Sequence, residues 1–359
     1  MTEQIKVEIE KLSFGGDGIA RHEGLVIFVP YSAPGDHLLV RLTEKKKNFA
    51  RAEIIEIIKP GPSRTPPPCP VFGRCGGCQW QHISYEEQLH QKQLIVADQL
   101  KRVLSDPARL LPIVPSPKPF RYRNRIQLKF DGQKLGFYAQ NSHEIVDIND
   151  CPITEEAIAQ KIPVMKADLL SKKSKAITKI EVIRTSANLI EVVHEDSPFE
   201  GVGFSQVNSQ QNENLVSSLQ DWMKDISFET FYDFYAGAGN FTFPMMETFP
   251  QARFVAVELN EKSVKIAQDR VRKQNLSPQK IKFYLSDVEL YLKRNPLPPS
   301  SVVLLDPPRS GCSENTVRML AEQQVRRIFY ISCNPAALAR DLDRMRQVGS
   351  WIPLRVQPF

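Results

Sequence analysis

The pattern of hydrophobic and polar positions changes near residue 203, and this change separates two kinds of structure. Before it, short apolar or alternating segments are separated by glycine, proline and charged turns, which is typical of β-rich domains. After it, short apolar segments alternate with amphipathic segments of helical period. This second pattern predicts parallel strands joined by right-handed helical crossovers, that is, a doubly wound, Rossmann-like α/β sheet.

Residues 1–58 predict a small β-barrel. Four segments are strand-like: Lys6–Ile9, Leu25–Val29, Leu38–Leu42 and Ala52–Ile58. Turn residues separate these segments, and closely spaced short strands are typical of small barrels. The basic run Lys45–Lys47 fits either an oligonucleotide-binding loop or a solvated hairpin tip, and the residues alone leave both open.

Residues 59–200 predict a region that contains a small α+β domain. It opens with the proline-rich linker Lys59–Pro70, and a helix with a Ser84/Glu87 capping box is expected from Ser84 to about Leu104. Further predicted elements are a helix near 155–171 and the strands Arg125–Phe130, Leu135–Tyr138, Ile180–Arg184 and Leu189–His194. The segment Phe120–Arg125 interleaves arginines with aromatic rings, which favours RNA contact over a plain basic strand.

Residues 201–359 predict the α/β sheet. The expected strands are Phe231–Tyr235, Phe254–Leu259, Ile281–Leu285, Val302–Leu305 and Ile328–Ser332. The expected helices are Asn208–Lys224, Glu261–Gln274, Ser313–Glu322 and Pro335–Val348. The three regions, 1–58, 59–200 and 201–359, are the predicted domains.

Length and composition exclude several classes of protein. A chain of 359 residues is long enough for two or three domains with cores of their own. It is 42% hydrophobic and 25% charged, and it contains neither an apolar run of membrane-spanning length nor a secretory leader. We therefore expect a cytoplasmic globular protein, neither membrane-bound nor secreted nor disordered. The net charge of +6 favours polyanionic partners.

The six cysteines are distributed unevenly. Cys69, Cys75 and Cys78 lie within ten residues, whereas the other three are isolated. In a chain without an export signal, such a cluster indicates a metal or cofactor site rather than a disulfide framework.

Candidate chemistry lies at the ends of the predicted parallel strands, where open α/β sheets bind their ligands. The turn Gly237–Gly239 allows close approach of a ligand, and Glu258, about twenty residues on, is placed to accept hydrogen bonds from a ribose diol. The third glycine of a dinucleotide motif is replaced by Thr242, so a nucleoside ligand such as S-adenosylmethionine fits better. Asp287, after the third strand, is placed to face its adenine.

Two further strand ends carry reactive or rigid groups. Asp306 precedes two prolines, which form a rigid corner that fixes its direction. Cys333 precedes a helix that starts at Pro335, and a helix N-terminus biases a cysteine toward thiolate and therefore toward nucleophilicity. Cys312 is interpreted as inert core.

Over nearly its whole length, the chain resembles the S-adenosylmethionine-dependent RNA uracil-C5 methyltransferases, which make 5-methyluridine in ribosomal and transfer RNA. The most specific motif is Ser332-Cys-Asn-Pro-Ala-Ala-Leu-Ala-Arg-Asp341, and Asp306-Pro-Pro-Arg309 also matches. The resemblance implies a methyltransferase sheet, an N-terminal RNA-binding TRAM barrel and Cys333 as the nucleophile. It also implies the cofactor contacts Gln206, Tyr235, Asn240, Glu258 and Asp306, with Gln206 taken from the segment Phe204–Asn208.

The resemblance also implies a fourth cysteine ligand, Cys151, beside the three clustered ones. Spacing alone leaves zinc open, with His82 able to replace Cys151. With the resemblance, a 4Fe–4S cluster held by all four thiolates is favoured.

The implied reaction explains the cysteine, because uracil C5 is too weakly nucleophilic to attack a methyl sulfonium unaided. One departure from the family stands out: its C-terminal histidine-x-glutamate segment, which carries the general base, has no match before Phe359. The expectation is a truncated chain that forms an RNA adduct through Cys333 but releases product slowly.

Three alternatives remain beside a ribosomal RNA enzyme, which the barrel and cluster favour. They are a tRNA uridine-C5 methyltransferase, a non-catalytic RNA-binding or ribosome-assembly protein, and an amino-methylating enzyme. The last ranks behind because Arg309 stands where such enzymes carry an aromatic residue. A monomer that binds RNA and no membrane is expected.

Overall fold

The computed structural model describes residues 3–172, 178–185, 189–194, 206–349 and 351–359. The chain forms two compact units. The first comprises Met1–Ile95, Pro115–Phe199 and Val207–Ser209, and the second comprises Val96–Val114, Glu200–Gln206 and Gln210–Phe359. Each unit is described below by itself.

The N-terminal part of the first unit is a curled six-stranded sheet. Its strands are β1 (Gln4–Glu8), β2 (Lys11–Leu12), β3 (Gly18–His22), β4 (Leu25–Val29), β5 (His37–Lys45) and β6 (Phe49–Lys59), in the order β1-β5-β6-β4-β3-β2. Alternate side chains point inward and form an apolar core around Ile27, Leu38 and Ala50. The predicted small barrel is confirmed.

Strand β3 was not among the predicted strands, because Gly18, Arg21 and His22 were interpreted as turn residues, and for these three the prediction was wrong. Its residues pair with β4 in an antiparallel hairpin, with His22 opposite Leu25. The two loop residues, Glu23 and Gly24, have φ values of 48° and 81°. Two positive φ values in succession match the twist of a tight hairpin, so the turn signal marked only these two residues.

A buried ion pair fastens the linker after β6 to the barrel. The carboxylate of Asp36 is fully buried and accepts hydrogen bonds from Arg64 Nε at 3.0 Å and from the backbone amides of Ala33 (2.7 Å) and Gly61 (2.8 Å). The Arg64 and amide hydrogen bonds outweigh burial and lower the pKa of Asp36. The start of the proline-rich linker is therefore a fixed part of the first unit.

The rest of the first unit contains an antiparallel sheet. Its strands are β7 (Arg125–Phe130), β8 (Leu135–Tyr138), β9 (Ile145–Asp147), β10 (Thr178–Arg184) and β11 (Ile190–His194), in the order β11-β10-β7-β8-β9. The helices are α1 (Tyr85–Leu100), which continues into the second unit, α2 (Glu156–Ala159) and α3 (Lys161–Ser171). The predicted capping box forms by half: Ser84 Oγ accepts from Glu87 N, but Ser84 N donates to Ser63 O.

The second unit contains the predicted parallel sheet. Its strands are β12 (Thr230–Phe234), β13 (Arg253–Glu258), β14 (Ile281–Leu285), β15 (Ser301–Leu305) and β16 (Arg327–Tyr330), in the order β14-β13-β12-β15-β16. All four pairings are parallel. The strand order reverses between β12 and β15, which is where such sheets bind ligands, and the predicted doubly wound class is confirmed.

Helices connect and cover this sheet. They are α4 (Ser209–Met223), α5 (Thr242–Thr248), α6 (Glu261–Lys273), α7 (Val288–Arg294), α8 (Glu314–Ala321) and α9 (Pro335–Gly349). Alternate strand residues serve two cores: Phe231 and Phe254 lie in one, and Phe234 and Leu305 lie in the other. Apolar side chains on both faces explain why these strands are continuous hydrophobic runs.

The C-terminal residues pair with the chain near residue 110. Leu111 N donates to Val356 O at 2.8 Å, and Val356 N donates to Arg109 O at 2.8 Å. In the described part of the chain, these last residues do not extend the parallel sheet.

Candidate active site

The predicted site residues of the second unit follow neighbouring strands at one edge of the sheet. Phe234, at the end of β12, is in register with Val257 on one side and Leu305 on the other, and Leu305 is in register with Tyr330. The turn after β12, Glu258, Asp306 and the segment before Cys333 therefore all leave the sheet at its carboxyl edge. The topology brings together what the sequence separates by up to a hundred residues.

The turn after β12 leaves room for a ligand. Gly237 has a φ of 56°, and a Cβ built on it would meet no atom within 4 Å. Its amide donates to Glu258 Oε2 at 2.8 Å, while Asn260 N donates to Oε1 at 2.7 Å. Because each carboxylate oxygen keeps a further acceptor position, Glu258 is held in place and can still accept hydrogen bonds.

Three other predicted cofactor contacts have protein partners. The hydroxyl of Tyr235 reaches Cys312 and Thr316, so its side chain packs toward the core. Asn240 exchanges two hydrogen bonds of 3.0 Å with Asn212, and Asp287 caps α7 by accepting from Leu290 N. Their cofactor roles stay predictions.

Gln206 is the first described residue after a gap. Its neighbours Phe204 and Ser205, which carried part of the motif, lie outside the described residues. The role of Gln206 also stays a prediction.

A buried carboxyl group, Asp233, lies beneath this edge and was not singled out from the sequence. Its side chain is fully buried, Oδ2 accepts from Thr242 Oγ1 at 2.6 Å, and Oδ1 has no partner among the described residues. Burial raises its pKa to about 7, and the charge of Asp306 adds to this. Burial also raises the pKa of Asp306 to about 6. An aspartate inside an apolar strand was the signal that could have identified Asp233.

Asp233→Asn is expected to flatten the pH dependence of stability. Below about pH 4, Asp233 is protonated in both the folded and the unfolded chain, so its ionisation does not affect stability. As the pH rises toward 7, the unfolded chain loses this proton more readily than the folded one. The free energy of unfolding therefore falls, by at most ~1.4 kcal/mol per pH unit. Asparagine does not ionise, so the free energy of unfolding of the variant lacks this decrease. Its stability relative to wild type is expected to increase by a few kcal/mol up to pH 8.

The measurement is urea unfolding at pH 5 and pH 8, followed by tryptophan fluorescence in a Trp80→Phe background. The two remaining tryptophans, Trp222 and Trp351, both report on the second unit. Asp269→Asn, on exposed helix surface, is the matched control. Parallel pH profiles of Asp233→Asn and wild type would contradict the expectation.

Cys333 is exposed and lies between β16 and α9. The next residue, Asn334, caps the helix: its Oδ1 accepts from Ala336 N at 3.1 Å and from Ala337 N at 3.3 Å. These amides are therefore engaged by Asn334 rather than by the thiol. The predicted bias of Cys333 toward thiolate rests on the dipole of α9 and stays a prediction.

Two connections tie the Cys333 segment to the loop that follows Asp306. Asn334 Nδ2 donates to Arg309 O at 3.1 Å. Nearly two turns into α9, the fully buried Asp341 accepts from Cys312 N at 2.9 Å and from Tyr330 Oη at 2.6 Å. Asn334 and Asp341 both lie in the motif Ser332–Asp341, but neither was assigned a role of its own from the sequence, although Asn before Pro is a common helix start.

The predicted ligand cysteines lie in the first unit, and none forms a disulfide. Burial raises the pKa of Cys69, Cys75 and Cys78, and the charge of the Cys151 thiolate adds to it in each case. The four thiols thus share one electrostatic neighbourhood. Among the described residues, no three His, Cys, Asp or Glu side chains are grouped closely enough to hold a metal ion.

A short scaffold positions two of these cysteines. Cys75 forms an isolated bridge with Ala139, and Gly76 N donates to Tyr138 O at 3.0 Å. On the other side, Arg121 binds both carboxylate oxygens of Asp150, at 2.7 and 2.8 Å, and also donates to Cys151 O. The Arg121 hydrogen bonds lower the pKa of Asp150.

His82, the alternative zinc ligand, is buried against the barrel. Its Nε2 lies 3.1 Å from Ser32 O, and since a carbonyl can only accept, Nε2 is the protonated nitrogen. Burial lowers its pKa to about 4, so the ring is neutral at physiological pH.

Comparison with known proteins identifies the family. A model described as TRAM domain matches residues 3–55, and one described as tRNA (Uracil-5-)-methyltransferase matches residues 297–350. An uncharacterized RNA methyltransferase of Bdellovibrio bacteriovorus is 44% identical over 365 residues, which cover 99% of this chain and 91% of the relative. The chain belongs to this RNA methyltransferase family.

More distant family members match over similar lengths. An uncharacterized RNA methyltransferase of a Synechocystis species is 30% identical, covering 94% of this chain and 88% of the relative. A 23S rRNA (uracil(1939)-C(5))-methyltransferase of Shewanella halifaxensis is 28% identical, covering 97% of this chain and 91% of the relative.

The two family models fall on the structures described above. The TRAM match covers most of the six-stranded sheet, from β1 into β6. The methyltransferase match begins before β15 and ends after α9, so the matched segment contains Asp306, Cys333 and Asp341. No helix in the described ranges is both long and apolar enough to cross a lipid bilayer.

Proposed function

We propose that this protein transfers a methyl group from S-adenosylmethionine to C5 of a uridine in RNA, with Cys333 as the nucleophile. One observation carries the proposal: an exposed cysteine stands at the carboxyl edge of a methyltransferase sheet, on a segment tied to the Asp306 loop by Asn334. An exposed thiol at this edge of the sheet is suited to chemistry rather than to packing.

In the proposed reaction, the Cys333 thiolate adds to C6 of the uracil, and the electron pair of the C5=C6 bond moves into an enolate. S-Adenosylmethionine, when bound, supplies an electrophilic methyl group on a sulfonium. The nucleophilic C5 takes this methyl group as the S–CH3 bond breaks and leaves a neutral thioether. A base then removes the C5 proton, and the Cys333 Sγ–C6 bond breaks to regenerate the thiolate. The uridine must leave its stack to reach the thiol.

The residues of the sheet edge suit an adenosine-bearing cofactor. The open space above Gly237 admits a ligand close to the backbone, and the fixed Glu258 carboxylate can accept hydrogen bonds from a ribose diol. Asp306 is partly buried at the same edge, where a polar ligand group can hydrogen-bond to it.

Ribosomal RNA is the favoured substrate. This rests on the relatives named as 23S rRNA methyltransferases, which align over nearly the whole chain, whereas the model named for tRNA matches a shorter segment. Methylation assays on purified 23S rRNA and on tRNA, with the 5-methyluridine mapped in the product, separate the two substrates.

We also propose that Cys69, Cys75, Cys78 and Cys151 hold a 4Fe–4S cluster. Soft thiolates are the donors that such a cluster takes. None of the four cysteines forms a disulfide, and burial together with the neighbouring Cys151 raises the pKa of the other three. Anaerobically purified protein is expected to be brown and to contain iron and sulfide. Colourless protein that retains zinc would overturn the assignment.

The test of the proposed reaction is trapping with RNA in which the uridines are replaced by 5-fluorouridine. Fluorine at C5 cannot leave as a proton does, so a covalent protein–RNA complex accumulates if Cys333 adds to C6. A protein–RNA complex that forms only when S-adenosylmethionine is present and that survives denaturation supports the proposal. RNA binding without any such complex would favour the non-catalytic alternative.

A further inference from the structure

We propose that a groove in the first unit binds a single-stranded segment of the RNA by stacking its bases on aromatic side chains. The inference rests on the proposed action on RNA, but it concerns a binding site that is separate from the chemistry of Cys333. It is argued from the lining, the hydrogen bonds and the charges of the groove.

The groove is an open cavity of about 640 Å³ formed by 21 lining residues. Three segments contribute most of its wall: the barrel turn Phe14–Gly16, the segment 77–85, which includes Cys78, and the segment 119–123. Five of the 21 lining residues are aromatic, which is a larger share than the 9% of the chain as a whole. They are Phe14, Trp80, Tyr85, Phe120 and Tyr122.

Hydrogen bonds hold two of these rings in place. Trp80 Nε1 donates to Gly16 O at 3.0 Å, and Gln88 Nε2 donates to Trp80 O at 3.1 Å. The hydroxyl of Tyr85 accepts from Ser116 N at 2.7 Å. Rings that are fixed before binding lose little conformational entropy when a base stacks on them.

The polar lining suits a nucleic acid. The described lining contains two cationic side chains, Lys92 and Arg123, and no carboxylate. Gln81 also lines the groove: it is 7% exposed, and its Oε1 has no hydrogen-bond partner in the described chain. A base N–H can satisfy such an acceptor, while the cations can meet the backbone phosphates.

These features favour single strands over duplex RNA. In a duplex, the faces of the bases are buried in the stack, and proteins recognise its shape and its phosphates. Aromatic side chains therefore have few base faces to stack on in a duplex. In a single strand every base has a free face, and stacking is tolerant of sequence. A peptide would account for the apolar rings but not for the surplus of cations.

The experiment measures binding of a labelled oligouridylate by the full chain carrying Cys333→Ala, without S-adenosylmethionine. Phe120→Leu keeps the apolar volume and removes the aromatic face, so affinity is expected to fall about five-fold to a hundred-fold. Phe120→Tyr is expected to retain affinity. Lys92→Ala is expected to reduce the slope of log affinity against log salt by about 0.7.

Trp80 supplies an independent readout. Stacking of a base is expected to quench its fluorescence, and Trp80→Phe should lose that quenching while keeping most of the affinity. Leu170→Ala and Lys273→Ala, an exposed apolar residue and an exposed cation outside the groove, are the controls and should bind as the parent does.

Unchanged affinity in Phe120→Leu together with an unchanged salt slope in Lys92→Ala would overturn the inference. Equal competition by duplex RNA would also overturn it. The result is distinguishable from failure of the proposed reaction, because binding is measured without methyl transfer. Groove variants that behave as expected in a chain that never forms the 5-fluorouridine complex would support the groove and reject the chemistry.

Discussion

Replacement of Cys333 by alanine is expected to abolish methyl transfer, lowering its rate about 10⁴-fold or more, while leaving the fold intact. Removing a covalent nucleophile removes the whole reaction path rather than one interaction along it. Because Cys333 is exposed, the free energy of unfolding should change by no more than ~0.5 kcal/mol. Single-turnover transfer of a labelled methyl group to RNA, alongside urea unfolding, measures both quantities.

Cys312 is the matched control in the same unit. It is 4% exposed, and burial raises its pKa to about 11, so its thiol stays protonated at neutral pH. Cys312→Ala should therefore cost stability, about 1–3 kcal/mol for a small buried side chain with polar contacts, yet retain methyl transfer. Loss of the chemistry in Cys312→Ala with a stable fold, or its survival in Cys333→Ala, would show that the nucleophile is wrongly assigned.

Much of the parallel sheet could be predicted from sequence because its strands are buried on both faces. A continuous apolar run such as Val302–Leu305 predicts a buried strand when amphipathic helices flank it. Helices α5 and α7, of seven residues each, were not predicted, since two turns are too short to show a helical period. The missed strand β3 shows the same limit in the barrel, because its residues pair only in the context of β4.

The candidate site was only partly predictable, for a related reason. Residues with a motif, such as Cys333 and Glu258, were identified because residue type and spacing carry the chemistry. Asp233 and Asp341 were assigned no role, although Asp341 lies in the same motif as Cys333, because their importance lies in burial and in hydrogen-bond partners from other segments. Sequence gives no direct measure of either. The same holds for the groove, whose walls come from segments about a hundred residues apart.

Asp341 joins three segments of the second unit. Besides Cys312 N and Tyr330 Oη, its carboxylate accepts from Arg340 Nε at 2.9 Å. Gly311 completes the arrangement: with a φ of 80°, it has no room for a Cβ, which would lie 2.5 Å from Asp341 Oδ2. The carboxylate thus connects the loop after Asp306, strand β16 and helix α9, which begins directly after the Cys333–Asn334 segment.

Asp341→Ala is expected to destabilise the second unit by about 3–5 kcal/mol, the largest stability effect predicted for this chain. Removing one partner of a buried charged network leaves the others unpaired, and this costs more than the network contributes as a whole. Asp341→Asn keeps an acceptor oxygen and should cost less. Urea unfolding in the Trp80→Phe background measures the loss through Trp222 and Trp351.

Asp343→Ala is the control on the same helix. Asp343 is exposed and pairs with Arg346 at 2.8 Å, so its loss should change the free energy of unfolding by ~0.5 kcal/mol or less. Equal decreases in the free energy of unfolding for Asp341→Ala and Asp343→Ala would contradict the prediction that the buried carboxylate stabilises the second unit. Asp341→Asn also tests whether the carboxylate positions Cys333, because the hydrogen bonds of Asp341 hold α9 and the loop after Asp306 in place. A folded variant with slow methyl transfer and unchanged RNA affinity would indicate that it does.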